Sequence, residues 1–259
     1  MLADKRALMT QLQFHNLPDG RKIAFRRTGT PSKILPGPTI IFLPGYMSDM
    51  EGGKAAALFE WAAQQGRDCL LLDYSGCGSS PGDFADGTLS RWRDEVLDLI
   101  HAQVSRKIIL IGSSMGGWLM LMVGLALGGR LAGMVGIAAA PDFSDWGYDE
   151  GQKARLQCGE TVFEDNPYGP EPTPMHAGFW HDAQANRMLT TDIAIHCPVR
   201  LLHGQNDADV PWQTSLELAQ RLCSDDIQVT LVKAADHRMS RDADIALLLR
   251  TAALLVAAA

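Results

Sequence analysis

The run Lys107-Ile108-Ile109-Leu110-Ile111-Gly112-Ser113-Ser114-Met115-Gly116-Gly117-Trp118 constrains this chain more than any other stretch. An apolar, isoleucine-rich segment ends in Gly-x-Ser-x-Gly, and an apolar helical pattern begins at once. A strand that turns sharply into a helix leaves one serine oxygen exposed at the strand's end, the layout of a nucleophile elbow. Gly112 and Gly116 flank the serine because a Cβ at either place would strike neighbouring backbone in so tight a turn. The spacing selects Ser114. Ser113 would need glycine where Ile111 and Met115 stand.

Around this motif, strands and helices alternate. Apolar strand runs are expected at Thr39–Leu43, Cys69–Asp73, Lys107–Ile111, Met134–Ala139, Val199–His203 and Ile227–Val232. Helical segments are expected at Lys54–Gln65, Leu89–Gln103, Ser114–Leu127, Trp212–Leu222, and from Asp242 to the carboxyl end. Such alternation predicts an α/β fold, with a mostly parallel sheet covered by helices on both faces. Ahead of it, residues 11–17 and 21–27 read as a hairpin about Pro18-Asp19-Gly20.

One segment breaks the alternation. From Pro141 to about Ala194 the chain is rich in Gly, Pro and acidic residues, with scattered Trp146, Tyr148, Phe163, Tyr168, Phe179 and Trp180. So long a loop is rare inside a compact domain. The reading is a lid of a few short helices at 141–194, inserted in a core formed by 1–140 and 195–259. The alternative is two ordinary surface helices with no role in binding; if the segment is a lid, aromatics such as Phe179 or Trp180 are candidates to line a pocket beneath it. The lid bases Lys153, Arg155 and Arg187 could meet an anionic substrate group, although solvated surface is the commoner fate of such side chains.

A serine hydroxyl is a poor nucleophile until a base takes its proton and an acid orients that base. Of seven histidines, His237 lies between the last strand and the terminal helix, on the sheet edge where the elbow opens. His15 and His101 are poorly placed, His176 and His181 fall in the lid, and His196 sits at a strand entrance. His203 ends a strand and reads as structural. Asp207, just past the strand at Val199–His203, stands where a loop would turn toward His237. Asp209 is read as a cap for the next helix, and Asp236 as a loop-ordering residue. The oxyanion of an acyl intermediate would find one backbone N–H at Met115 and another at Tyr46, in the loop after the first central strand. This chemistry calls for no metal and no organic cofactor.

The chain order Ser114, Asp207, His237 is similar to that of the α/β-hydrolase superfamily. The segments Phe42–Ser48, Asp73–Ser80, Gly112–Leu121, Arg200–Gly204 with Val210–Trp212, and Asp236–Met239 resemble, within it, mitochondrial abhydrolase-domain thioesterases and acyl-glucuronide esterases. The resemblance runs from about Thr39 to Leu255 and thins in the lid. It implies an α/β-hydrolase fold and a serine esterase or thioesterase acting on small-molecule or acylated-protein substrates. It also implies Ser114, Asp207 and His237 as catalytic residues, with Tyr46 and Met115 as oxyanion donors. Carbon–carbon bond hydrolases, acyltransferases and non-catalytic receptors share this fold and stay open.

Composition narrows the setting. A formal net charge of −7 speaks against nucleic acid as a partner, and no apolar run reaches the ~20 residues needed to span a bilayer. The cysteines at 69, 77, 158, 197 and 223 are odd in number and widely spaced, suggesting neither a disulfide framework nor a zinc site. Cys69 is expected to be a small buried hydrophobe. With no secretory signal or basic presequence evident from Met1 to Arg6, the expectation is a reduced, cytoplasmic protein.

Overall fold

The structure, a computed structural model, describes residues 11–29, 34–167 and 169–259. Tyr168 and the Met1–Arg6 stretch lie outside these described residues. In chain order the described elements are β1 (Gln13–Asn16), β2 (Lys22–Arg27), β3 (Thr39–Leu43), α1 (Gly53–Gln64), β4 (Cys69–Leu72), α2 (Leu89–Gln103), β5 (Ile108–Ser113), α3 (Met115–Leu127) and β6 (Leu131–Ile137). There follow α4 (Phe143–Trp146), α5 (Glu150–Gln157), β7 (Val162–Glu164), β8 (Thr173–Met175), α6 (Ala177–Ala185), β9 (Val199–Gly204), α7 (Gln213–Arg221), β10 (Ile227–Val232) and α8 (Asp242–Ala258).

Eight strands form one sheet in the order β1-β2-β4-β3-β5-β6-β9-β10. β1 pairs antiparallel with β2 and β2 antiparallel with β4, while the strands from β4 to β10 run parallel. Both faces of the central strands are buried, which explains their continuous apolar sequence. Along β3, Ile41 and Leu43 enter one core with α2 and α3, whereas Ile40 and Phe42 enter a second core with α1 and α8. β5 repeats the alternation, with Ile108 and Leu110 on the first side and Ile109 and Ile111 on the other.

The helices follow from local chemistry. α2 begins where the Thr88 hydroxyl accepts the Arg91 N–H at 3.1 Å, and it buries Trp92, Val96 and Leu99. α3 is apolar on all sides because it lies between the sheet and the segment that follows β6; Trp118, Leu119, Met120 and Leu121 are all fully buried.

Between β6 and β9 the chain builds α4, α5 and α6 and, unforeseen in the sequence, a small antiparallel hairpin of β7 and β8. Asp142 closes this insert at its base. Its carboxylate accepts the N–H groups of Met188 at 2.8 Å and Leu189 at 2.9 Å, joining the start of the insert to its end.

Candidate active site

Strand order decides which loops can meet. β5 lies beside β3 and β9 beside β10, so the loops leaving their carboxyl ends come together on one edge of the sheet. Ser114 follows β5, Tyr46 follows β3, Asp207 follows β9 and His237 follows β10.

The turn at Ser114 is as tight as the glycines suggest. A Cβ on Gly112 would stand 2.3 Å from the Gly116 carbonyl oxygen, and one on Gly116 only 2.1 Å from that of Leu43. Ser114 itself adopts φ 55° and ψ −123°, a conformation costly for a residue with a side chain. Surrounding backbone enforces it: the Ser114 N–H donates to Ile137 at 2.9 Å, and its carbonyl accepts from Gly117 at 2.8 Å and Ala140 at 3.1 Å.

His237 connects the other two predicted residues. Its Nε2 lies 3.0 Å from Ser114 Oγ and its Nδ1 lies 2.8 Å from Asp207 Oδ2. A carboxylate can only accept, so Nδ1 carries the proton and Nε2 is left to accept from the serine hydroxyl. The Asp207 side chain is fully buried. Burial would raise its carboxyl, but hydrogen bonds from His203 and His237, the charge of His237 and the Val210 N–H hold it well below the usual carboxylate range.

The loops bearing the acid and the histidine can touch because Gly204 has no side chain. A Cβ there would lie 2.2 Å from the Ala235 carbonyl oxygen, and that carbonyl accepts the Asn206 N–H at 2.9 Å. Asp236 orders the histidine loop as expected, accepting the Met239 N–H at 3.1 Å.

Tyr46 and Met115 also converge on the serine. Gly45 packs so close that a Cβ on it would stand 3.3 Å from the Ser114 Cβ, bringing the Gly45–Tyr46 backbone alongside. Met115 is the first residue of α3, and N–H groups in a first turn have no carbonyl within the helix to bond. The helix's positive end favours an anion there.

A cavity of about 630 Å³ opens over Ser114 and His237. Phe143, Trp146 and Tyr148 of the insert line it from one side, with Lys54 and Arg238 on the other. Burial, followed by the nearby charge of Arg238, lowers the Lys54 ammonium to about 8, and that ammonium donates to the Arg238 carbonyl.

Several expectations need correction. Phe179 and Trp180 do not line this cavity: Phe179 is wedged among Tyr46, Trp92 and Phe143, and the Trp180 indole donates to the Ser144 carbonyl at 2.9 Å. Their apolar size suits a core as well as a pocket, and the core claims them. Lys153 and Arg187 pair with Asp145, and Arg155 pairs with Glu160, in keeping with the surface role that is commoner for such side chains. The bases at the cavity are Lys54 and Arg238; the second could have been found from its position beside His237. Asp209 does not cap α7, whose N-cap is Trp212 and has no side-chain cap bond. The Asp209 backbone N–H donates to Asp207 Oδ1 at 2.9 Å. His203 is indeed buried, yet its Nε2 also reaches Asp207 Oδ2 at 3.1 Å.

Among the described residues, no helix is long and apolar enough to cross a membrane. Cys69 is buried as expected.

Comparison with known proteins agrees with the fold. Residues 40–251 match the Alpha/beta hydrolase family. The mitochondrial palmitoyl-protein thioesterase ABHD10 of Homo sapiens is 37% identical over 246 residues, covering 93% of this chain and 79% of its own length. Its Mus musculus counterpart is 39% identical over 246 residues, covering 93% and 80%. The solved structure of alpha/beta hydrolase domain-containing protein 10 from mouse has a TM-score of 0.86 at 36% identity, covering 95% of this chain and 98% of its own. A solved chain from Agrobacterium vitis S4 reaches a TM-score of 0.87 at 36% identity, covering 95% and 99%.

The ABHD10 relatives overturn the expectation of a cytoplasmic protein, since those from Homo sapiens and Mus musculus, matched along 93% of this chain, are named mitochondrial. Cysteine spacing bears on disulfide chemistry and carries no address. With the family matched over residues 40–251 and the sheet, elbow and loops arranged as described, the chain belongs to the α/β hydrolase family and is a hydrolase.

Proposed function

We propose that this hydrolase cleaves carboxylic esters or thioesters through an acyl-enzyme, with Ser114 as nucleophile, His237 as general base and Asp207 as orienting acid. The observation that carries the reading is one imidazole within reach of both partners, 3.0 Å from the serine oxygen and 2.8 Å from the carboxylate. Ser114 Oγ attacks the acyl carbonyl as His237 Nε2 takes its proton. Asp207 fixes the tautomer and stabilises the imidazolium. The N–H groups of Tyr46 and Met115 hold the oxyanion. His237 then protonates the leaving alkoxide or thiolate, and water, activated by the same imidazole, releases the acid.

The proposed substrate class is long-chain acyl thioesters, of small molecules or acylated proteins. Two facts support it: relatives are named palmitoyl-protein thioesterases, and the cavity wall contributed by the insert is aromatic. In this reading residues 141–194 serve as a lid over the cavity.

The test is labelling by a fluorophosphonate, followed by mass spectrometry and by turnover of acyl thioesters of graded length beside aryl and glucuronide esters. Modification should fall on Ser114 and turnover should favour long acyl thioesters. A receptor on this fold would leave the serine unmodified, and a transferase would need an acceptor other than water.

A further inference from the structure

Asp207 is contacted by two histidines, and both use the same oxygen. His203, at the end of β9, is fully buried. Its Nε2 lies 3.1 Å from Asp207 Oδ2 and 3.1 Å from the Val210 carbonyl oxygen, and its Nδ1 lies 2.7 Å from Ser215 Oγ. Because both groups facing Nε2 are acceptors, Nε2 carries the proton; Nδ1 accepts from the Ser215 hydroxyl.

We infer that His203 is a positioning residue for the hydrolytic reaction, holding the Asp207 carboxylate in the orientation that aims His237 at Ser114. The inference rests on the hydrolytic reading above. A buried histidine with a purely structural role needs a partner for each ring nitrogen, and His203 already has these in Ser215 and Val210. The further contact to Asp207 Oδ2 is not needed to satisfy the ring. What it does is complete the carboxylate. The backbone N–H groups of Asp209 and Val210 occupy Oδ1 at 2.9 and 2.8 Å. His203 and His237 occupy Oδ2 at 3.1 and 2.8 Å. With two donors on each oxygen, the carboxylate cannot rotate without breaking bonds in a buried site, where an unmade bond to a charge is costly. If His203 were absent, Oδ2 would be held only by the imidazole it is meant to orient.

The experiment compares His203→Leu, which fills the space without a donor, with His203→Gln, whose amide can donate from nearly the same position. Turnover of an aryl ester and an acyl thioester is normalised to active serines counted with a fluorophosphonate. Leucine should lower kcat about 10-fold or more with KM within about twofold, as expected for a lost hydrogen bond to a charged group. Glutamine should recover most of that loss. The ring-nitrogen signals of the unaltered protein, assigned by comparison with His203→Gln, should place the His203 proton on Nε2. A proton found on Nδ1 instead overturns the inference even where the leucine variant fails to fold. The inference is overturned if leucine leaves kcat within about twofold, if glutamine falls as far as leucine, or if the proton lies on Nδ1. Ser114→Ala, run alongside, separates the two failures. Should it retain turnover, the hydrolytic reading fails; should it be inactive while leucine at 203 matches the parent, only the role of His203 falls.

Discussion

The Tyr46 hydroxyl donates to the Pro174 carbonyl at 2.8 Å, so the loop beside the serine and the hairpin of the insert are joined by one hydrogen bond. The Tyr46 ring reinforces the junction, packing on Phe84 and Phe179 at centroid distances of 4.9 and 5.0 Å. Tyr46→Phe keeps the ring and removes the bond, at a cost of about 1 kcal/mol. Amide exchange at Thr173 and Met175 should quicken, and KM should rise more for bulky acyl thioesters than for an aryl acetate. Unaltered exchange there would show that the bond does not hold the hairpin.

Removing the groups proposed to react should cost far more. Ser114→Ala should lower kcat by roughly 10⁴- to 10⁶-fold, and Asp207→Asn by about 10⁴-fold through the wrong imidazole tautomer. Steady-state kinetics on an activated aryl ester measures both. Substantial turnover by Ser114→Ala would remove the serine from the chemistry.

Selectivity should track Trp146 and Phe143, which line the cavity, rather than Phe179, which does not. Trp146→Ala should change the preferred acyl length in a thioester series. Phe179→Ala should instead lower stability by about 3–5 kcal/mol, read from denaturant unfolding. The reverse pattern would relocate the acyl channel.

Gly116→Ala should unfold or strongly destabilise the protein, by about 3 kcal/mol or more, because its methyl would meet the Leu43 and Pro44 carbonyl oxygens at 2.1 and 2.4 Å. A variant melting within a few degrees of the parent would mean that the elbow can relax.

Lys54 gives a pH test. Its ammonium is lowered to about 8 from an ordinary 10.5, first by burial. Between those two values the unfolded chain binds the proton and the folded chain does not, so stability from this group rises with pH across that window. Below about 8 both states are protonated and the penalty for burying the charge is fully present. The unfolding free energy of the parent minus that of Lys54→Met should therefore climb from about pH 8 to 10.5. A flat difference would place the ammonium in a wetter setting.

Much of this arrangement was legible in the chain itself. Every apolar run expected to be a strand became one; the central parallel strands bury both faces and so write themselves as unbroken aliphatic sequence, while β10, at the sheet edge, alternates. Boundaries moved by a few residues, as at β6, which begins at Leu131 where Met134 was expected. The spacing of Gly112, Ser114 and Gly116 is a local steric requirement and could be read directly. Asp207 and His237 could be selected as partners for Ser114 because parallel topology puts the ends of successive strands on one edge. The insert resisted such reading. β7 and β8 span three residues each, too short for a period to show, and β8 contains Pro174. The placement of Phe179 and Trp180 depended on tertiary packing, and so did the second contact of His203, which sequence reduces to a residue near an aspartate.

The carboxylate clasp at Asp142 carries a consequence for how such proteins diversify. The polypeptide leaves the central scaffold and returns to it at nearly one point, gathered by a single side chain. Residues in between that pack into the shared core, such as Phe179 against Tyr46 and Trp92, must be kept, while exposed ones such as Phe163 are free to vary. Exchanges at cavity-lining positions such as Trp146 would then sample new specificities without rebuilding the foundation.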